Sequence, residues 1–156
     1  MFVALADAAA LGAAGLGGGT GGTVTGSGQV LKLARPDIKI VSAEPENAML
    51  LSGKEWAPHK IQGWTPDFVP EVLNKDVIDE TVAIGDADAI ATAQRLASEE
   101  GIFCGISSGA TMFAALSMAK EAPEGSTFCV MLPDTGERYL STPLFENISP
   151  DSDEID

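Results

Sequence analysis

Residues 17–23 read Gly17-Gly18-Gly19-Thr20-Gly21-Gly22-Thr23, five glycines in seven positions, and run directly into Val24-Thr25-Gly26 and an apolar-periodic stretch stopped by Pro36. Glycine has no Cβ, so such a string lets the backbone turn sharply and bring its N–H groups against a ligand. A helix opening at Thr23 would aim its first-turn N–H groups and the positive end of its dipole the same way. The combination is an anion site suited to a phosphate, with threonine hydroxyls as further donors. The competing reading is a flexible linker, but linkers rarely pass straight into helix-period residues.

The rest of the chain alternates between two periods. Phe2-Val3-Ala4-Leu5 reads as a strand, and the Ala/Gly stretch after it as a helix turn or a loop. Residues 23–35 form a helix with Val24, Val30, Leu31 and Ala34 on one side. Ile38-Lys39-Ile40-Val41-Ser42-Ala43 is a strand ended by Glu44-Pro45, and residues 46–75 are rich in loops. Residues 77–84 are strand-like. Asp86 caps a helix carrying Ala89, Ile90, Ala93, Leu96 and Ala97 on one face, ended by Gly101. Ile102-Phe103-Cys104 reads as a short buried strand. Residues 107–122 make a deeply buried helix with Met112, Phe113, Leu116 and Ala119 on one face, and 127–132 a strand closed by Pro133-Asp134. Such alternation predicts an α/β domain with an open, mainly parallel sheet and helices on both faces. Ligands in such sheets gather at the carboxyl ends of strands, where residues 17–23, 105–109 and 133–138 all fall.

A length of 156 residues suits one domain, and 45% hydrophobic with 21% charged residues is the composition of a soluble globular protein. The formal net charge of −14 argues against nucleic acid and anionic membranes as partners. The expected organisation is an atypical Ala/Gly-rich segment over 1–16, the α/β domain over 17–146, and a disordered acidic tail over 147–156. Cys104 and Cys129 both sit in apolar runs and are expected as buried reduced thiols, too far apart in sequence for a disulfide framework. The first basic residue is Lys32, which supports neither a secretory signal nor a transit peptide, and no apolar run approaches a membrane span. One histidine and two separated cysteines give no metal constellation.

Two motifs need weighing. Gly17-x-Gly19-x-x-Gly22 satisfies a dinucleotide pattern, with Glu44 at a plausible distance for a ribose-binding acid. The signal is weak, because a string this rich in glycine satisfies many glycine patterns. No Gly-Lys-Ser/Thr follows, which excludes a Walker loop. Gly105-Ile106-Ser107-Ser108-Gly109 matches the serine-hydrolase elbow, but that fold needs a histidine after the serine, and His59 precedes it. Ser107 and Ser108 then remain as helix caps, with or without hydroxyls offered to a ligand. His59 reads as a loop residue, and Glu137-Arg138 as a structural charge pair. No catalytic residue is assigned.

Four stretches in order, Gly19-Thr20-Gly21-Gly22-Thr23, His59-Lys60-Ile61-Gln62-Gly63, Gly105-Ile106-Ser107-Ser108-Gly109-Ala110 and Pro133-Asp134-Thr135-Gly136-Glu137-Arg138-Tyr139-Leu140-Ser141-Thr142, together resemble the C-terminal half of the cysteine synthase (O-acetylserine sulfhydrylase) family. These are fold-type II enzymes using pyridoxal 5′-phosphate (PLP), and the resemblance runs from about residue 17 to 146. It implies that Gly19, Thr20, Gly21, Gly22 and Thr23 hold the cofactor phosphate. It also implies that Ser107 bonds the pyridine nitrogen and that Gln62 and Gly63 line the substrate side. The implied reaction is PLP-dependent β-replacement of O-acetyl-L-serine by sulfide to give L-cysteine. The implied setting is a cytoplasmic homodimer when complete, without excluding an organellar copy, and serine acetyltransferase is a further partner.

Departures from the family pattern shape the expectation. The Schiff-base lysine of a Ser-x-Lys-Asp-Arg-like motif and the carboxylate-gripping Thr-Ser-Gly-Asn-Thr-like loop belong to the family's N-terminal half and are not among these residues. Lys32, Lys39, Lys54, Lys60, Lys75 and Lys120 lie in other contexts. Trp64-Thr65-Pro66-Asp67-Phe68 stands where many members have a small, glycine-containing stretch. The expectation is a truncated, cysteine synthase-like chain, inactive alone. The alternatives are a cystathionine β-synthase-like enzyme, a non-catalytic module binding the serine acetyltransferase tail, and an NAD-binding domain.

Overall fold

The computed structural model describes residues 21–146 and the backbones of two short strands, β1 (Val3–Leu5) and β2 (Leu11–Ala14). The remainder of the 1–16 segment, residues 17–20 and the acidic tail 147–156 lie outside the described residues. Three further strands follow: β3 (Lys39–Pro45), β4 (Glu80–Ile84) and β5 (Thr127–Cys129). They form one sheet in the order β4-β3-β1-β2-β5. The pairs β3–β4 and β2–β5 are parallel, while β1 runs antiparallel to both its neighbours. Four strands therefore share one direction, the mainly parallel sheet that the alternating periods require.

Helix α1 (Gly22–Ala34) follows β2, α2 (Asp86–Glu100) follows β4, and α3 (Ile106–Ala119) precedes β5. Strand β3 distributes the core between two faces, because successive side chains point to opposite sides of a sheet. Ile38 and Ile40 pack with Val24 of α1 and with Val77. Val41 and Ala43 join Ile84, Ala89, Ala93 and Leu96 of α2, and Ile106, Ala110 and Ala114 of α3, in the larger cluster. Helices thus cover both faces of the sheet.

Several elements differ from expectation. The Ala/Gly stretch contains β2, whose backbone pairs with both β1 and β5; cross-strand pairing overrides weak local propensity. On α1 the inward stripe is Val24, Gly28 and Leu31, whereas Val30 and Ala34 are exposed. Gly28 belongs to that stripe because a Cβ there would stand only 3.0 Å from Val77. Asp86 is the first residue of α2 rather than its cap, which is Gly85. Residues 102–104 form no strand. Cys104 makes an isolated bridge to Thr135, and Ile102 and Phe103 are exposed beyond the left-handed turn at Gly101. Strand β5 ends at Cys129, and Cys129 is exposed while Cys104 is buried.

Helix α3 shows the largest reversal. Its buried positions are Ile106, Ser107, Ser108, Gly109, Ala110, Thr111, Ala114 and Ala115, while Leu116 is 47% exposed and Met112 and Phe113 are half-buried. The small face is turned inward because α3 crosses α2 at Gly109, where a Cβ would lie 2.6 Å from the Ala93 amide nitrogen. Helices approach this closely only over small side chains.

Candidate cofactor site

The amino end of α1 opens at Gly21, which has φ 76°. Glycine is required there twice over: the backbone is left-handed, and a Cβ would stand 2.7 Å from Leu73 Cδ1 and 2.8 Å from Leu73 Cβ. Leu73 is held in place by Thr25, whose hydroxyl donates to the Val72 carbonyl (3.1 Å) and accepts from the Asn74 amide (2.9 Å). The cap is a glycine, without a side chain, and no acid stands in the first turn, which suits this positive helix end to an anion. Gly21 and Gly22 are half-buried and Thr23 is exposed, while Gly19 and Thr20 lie outside the described residues.

A cavity of about 30 Å³ lies beneath this helix mouth, lined among others by Gly21, Val24, Ser42, Glu44 and Thr65. Ser42 and Glu44 share the β3 face of Ile40, so alternation turns both toward α1. Glu44 is 3% exposed. Its Oε1 accepts from the Leu51 amide (3.1 Å), and its Oε2 has no partner among the described residues. Burial raises its pKa, opposed mainly by the Leu51 N–H and by the charge of Lys75. That direction lessens the carboxyl's repulsion of an anion at the helix mouth.

At the amino end of α3 the cap is Gly105, with no side-chain hydrogen bond. Ser107 and Ser108 are therefore not caps; both are buried within the first turn. Thr111 ties this turn to the chain after β5: its hydroxyl stands 3.0–3.2 Å from the Ser107, Ser108 and Met131 carbonyls, one of which accepts its proton. Asp134 and Tyr139 close over Gly105: the Tyr139 hydroxyl donates to Asp134 Oδ2, and a Cβ on Gly105 would stand 2.5 Å from Asp134 Oδ1. Burial, then the Asp134 carboxylate, pushes the Tyr139 hydroxyl up to about 12. Glu137 and Arg138 form no ion pair; Glu137 instead accepts from the Thr135 hydroxyl.

The loop 59–65 is anchored at the mouth of α2. The Lys60 amide donates to Asp86 Oδ1 (2.9 Å), and Ile61 is fully buried. Gln62 and Gly63 stand exposed beyond it, Gly63 with φ 80°. The loop closes on Thr65, a non-glycine residue at φ 33° whose carbonyl accepts from Trp56 Nε1 (2.9 Å) with His59 Nε2 at 3.5 Å. The structure thus brings Gly21 and the end of this loop together around one cavity. It joins residues 105–108 to 133–139 in a second cluster at the carboxyl edge of the sheet. Ser107 does not line the cavity under Gly21. Sequence reasoning missed the inward roles of Glu44 and Asp134; their only signal was an acid placed directly after an apolar strand. Among the described residues, no group of three His, Cys, Asp or Glu is placed to hold a metal, and no helix is long and apolar enough to cross a membrane.

A family model described as pyridoxal-phosphate dependent enzyme matches residues 7–134. The chain belongs to this family. Within the pyridoxal-phosphate dependent enzymes it is 55% identical over 138 residues to O-ureido-L-serine synthase of Streptomyces lavendulae, covering 88% of this chain and 43% of that protein. It is 50% identical over 129 residues to cysteine synthase of Staphylococcus aureus, covering 83% and 42%. Among solved structures, an O-ureido-L-serine synthase superposes with TM-score 0.86 at 54% identity over 90% of this chain and 44% of that one. The O-acetylserine dependent cystathionine β-synthase from Helicobacter pylori gives 0.77 at 37% identity, covering 85% and 42%. The chain spans less than half the length of these relatives.

The residues present fit the family's cofactor. The first turn of α1 holds no acid and its cap is glycine, as suits a phosphate, and Ser107 and Ser108 are buried hydroxyls in the first turn of α3.

Proposed function

We propose that this chain supplies the phosphate and ring-nitrogen sites of a PLP-dependent enzyme that replaces the β-substituent of an O-acylated serine, with O-acetyl-L-serine, sulfide and L-cysteine as substrates and product. The observation that carries it is the mouth of α1, where Gly21 must be glycine and the first turn holds no acid. Gly19 to Thr23 would hold the cofactor phosphate and Ser107 the ring nitrogen, while Gln62 and Gly63 would face the substrate. The cofactor supplies an electron sink. Ser107, a neutral hydroxyl, orients the ring without the charge that would hold its nitrogen protonated.

No lysine here lies in the context of the family's cofactor-binding lysine. Lys32 is bound to Asp79 (2.7 Å) and Lys39 to Glu80, and none lies in a family-like context. The whole activity therefore needs a lysine from outside these 156 residues. A homodimer, a cytoplasmic setting and docking of a serine acetyltransferase tail belong to the complete enzyme under this reading. O-ureido-L-serine as product is the second reading, favoured by the 55% identity to a synthase of that name. Equilibrium dialysis should show PLP retained by the chain and competed by inorganic phosphate, with no cysteine formed from O-acetylserine and sulfide. Turnover by the chain alone would refute the need for an outside lysine, and absence of PLP binding would refute the site.

A further inference from the structure

We infer that Asp134 is the positioning residue of the α3 site: held by the Tyr139 hydroxyl, its carboxylate lies over Gly105 and sets the electrostatic field at the amino end of α3, where Ser107 would hold the cofactor's ring nitrogen. The ring-nitrogen part rests on the function proposed above. The placement of Asp134 does not.

Three observations converge. Asp134 Oδ1 is buried, has no hydrogen-bond partner among the described residues, and stands 2.5 Å from where a Gly105 Cβ would be. A carboxylate oxygen buried without a donor is costly, and the positive end of a helix with no acid in its first turn is what offsets that cost. Next, any side chain on Gly105 would fill this contact and strike the Tyr139 ring, so the cap glycine is what lets the carboxylate approach the helix. Last, burial raises the Cys104 thiol pKa, the Ser108 hydroxyl lowers it, and the Asp134 charge raises it again. Asp134 therefore acts on Cys104, the residue just before the cap of α3. The other charged or titratable groups here are Tyr139, its neighbour Arg138, and Glu137, which is engaged by Thr135.

The chemical consequence follows from Ser107 being neutral. A hydroxyl leaves the proton on a bound ring nitrogen unsupported, and a fixed negative charge nearby raises the affinity for that proton. Asp134 would supply this without touching the ring.

The test uses the 156-residue chain in a Cys129→Ser background, so that Cys104 is the only thiol. Asp134→Asn should lower the Cys104 titration midpoint, followed by thiolate absorbance, by about half to one pH unit, a three- to tenfold change. Tyr139→Phe, which keeps the carboxylate, should not lower it. With PLP bound, the pH midpoint of the cofactor's absorbance should fall in Asp134→Asn while its affinity stays within about threefold. If Asp134→Asn does not fold, Asp134→Ser is read the same way. An unchanged Cys104 midpoint in a neutral variant with the parent's circular dichroism overturns the inference. If the parent binds no PLP, the cofactor assignment and the ring-nitrogen part fall together, and the thiol measurement still decides whether Asp134 governs this helix end.

Discussion

Gly109 of α3 and Ala93 of α2 meet so closely that a Cβ on Gly109 would lie 2.6 Å from the Ala93 amide nitrogen and 2.8 Å from its Cβ, and would overlap the Ala89 carbonyl oxygen. Both obstacles include backbone, which cannot rotate away. The last glycine of the Gly105-Ile106-Ser107-Ser108-Gly109 motif is thus a packing requirement. Gly109→Ala should cost about 3 kcal/mol, at the upper end for an overpacked core, visible as a lower denaturant midpoint at unchanged slope.

Gly21→Ala meets two penalties, the left-handed backbone and the clash with Leu73. The expected loss is about 2 kcal/mol. In a Leu73→Gly background, which removes both Cδ1 and Cβ, chiefly the backbone part, about 1 kcal/mol, should remain. Additive losses across the double-mutant cycle would show that Leu73 is not the obstacle.

Glu44 gives a pH signature of unusual sign. Its folded pKa is raised by burial, so between the unfolded value and the folded one the native state holds the extra proton. Its contribution to stability is full below the unfolded value of about 4.3 and is lost as pH rises through the raised folded value. Glu44→Gln should therefore be more stable than the parent at pH 7 and equal to it below about pH 4. Denaturant titrations at the two pH values check this, and a Gln variant weaker at pH 7 would contradict it.

Trp56→Phe keeps the ring and removes the N–H that secures the Thr65 carbonyl. Since Thr65 sits at φ 33°, losing that donor should release the segment 62–65 locally, with about 1 kcal/mol of global cost. Hydrogen exchange should accelerate at Gly63 and Trp64, with Trp64 left as the single fluorescent tryptophan. Exchange unchanged in the variant would mean that His59 alone holds the loop.

Much of the fold was legible because the strongest signals were local. Gly21 at the mouth of α1, Gly101 ending α2, and the β-branched run of β3 each act through their own backbone preferences. What escaped depended on partners distant in sequence. Met112, Phe113 and Leu116 promised an apolar face on α3, yet the close crossing at Gly109 turned the alanine and serine side inward. Cys129 lies in an apolar run, but β5 ends there at the open edge of the sheet. At the site, the glycines and Ser107 were readable as a pattern. The inward roles of Glu44 and Asp134 were not, because an acid beside a strand end is usually solvated, and only the packing around Gly21 and Gly105 shows Glu44 enclosed and one oxygen of Asp134 buried.

Strand β1 is three residues long and separates the β4–β3 pair from the β2–β5 pair. Every rung between those two parallel ribbons runs through Val3–Leu5. The recess under Gly21 straddles this seam, with the helix that follows β2 on one bank and Glu44 of β3 on the other. Trimming five residues from the amino terminus would part the ribbons like an opened zip, and the recess under Gly21 would lose one wall although every residue lining it was still present.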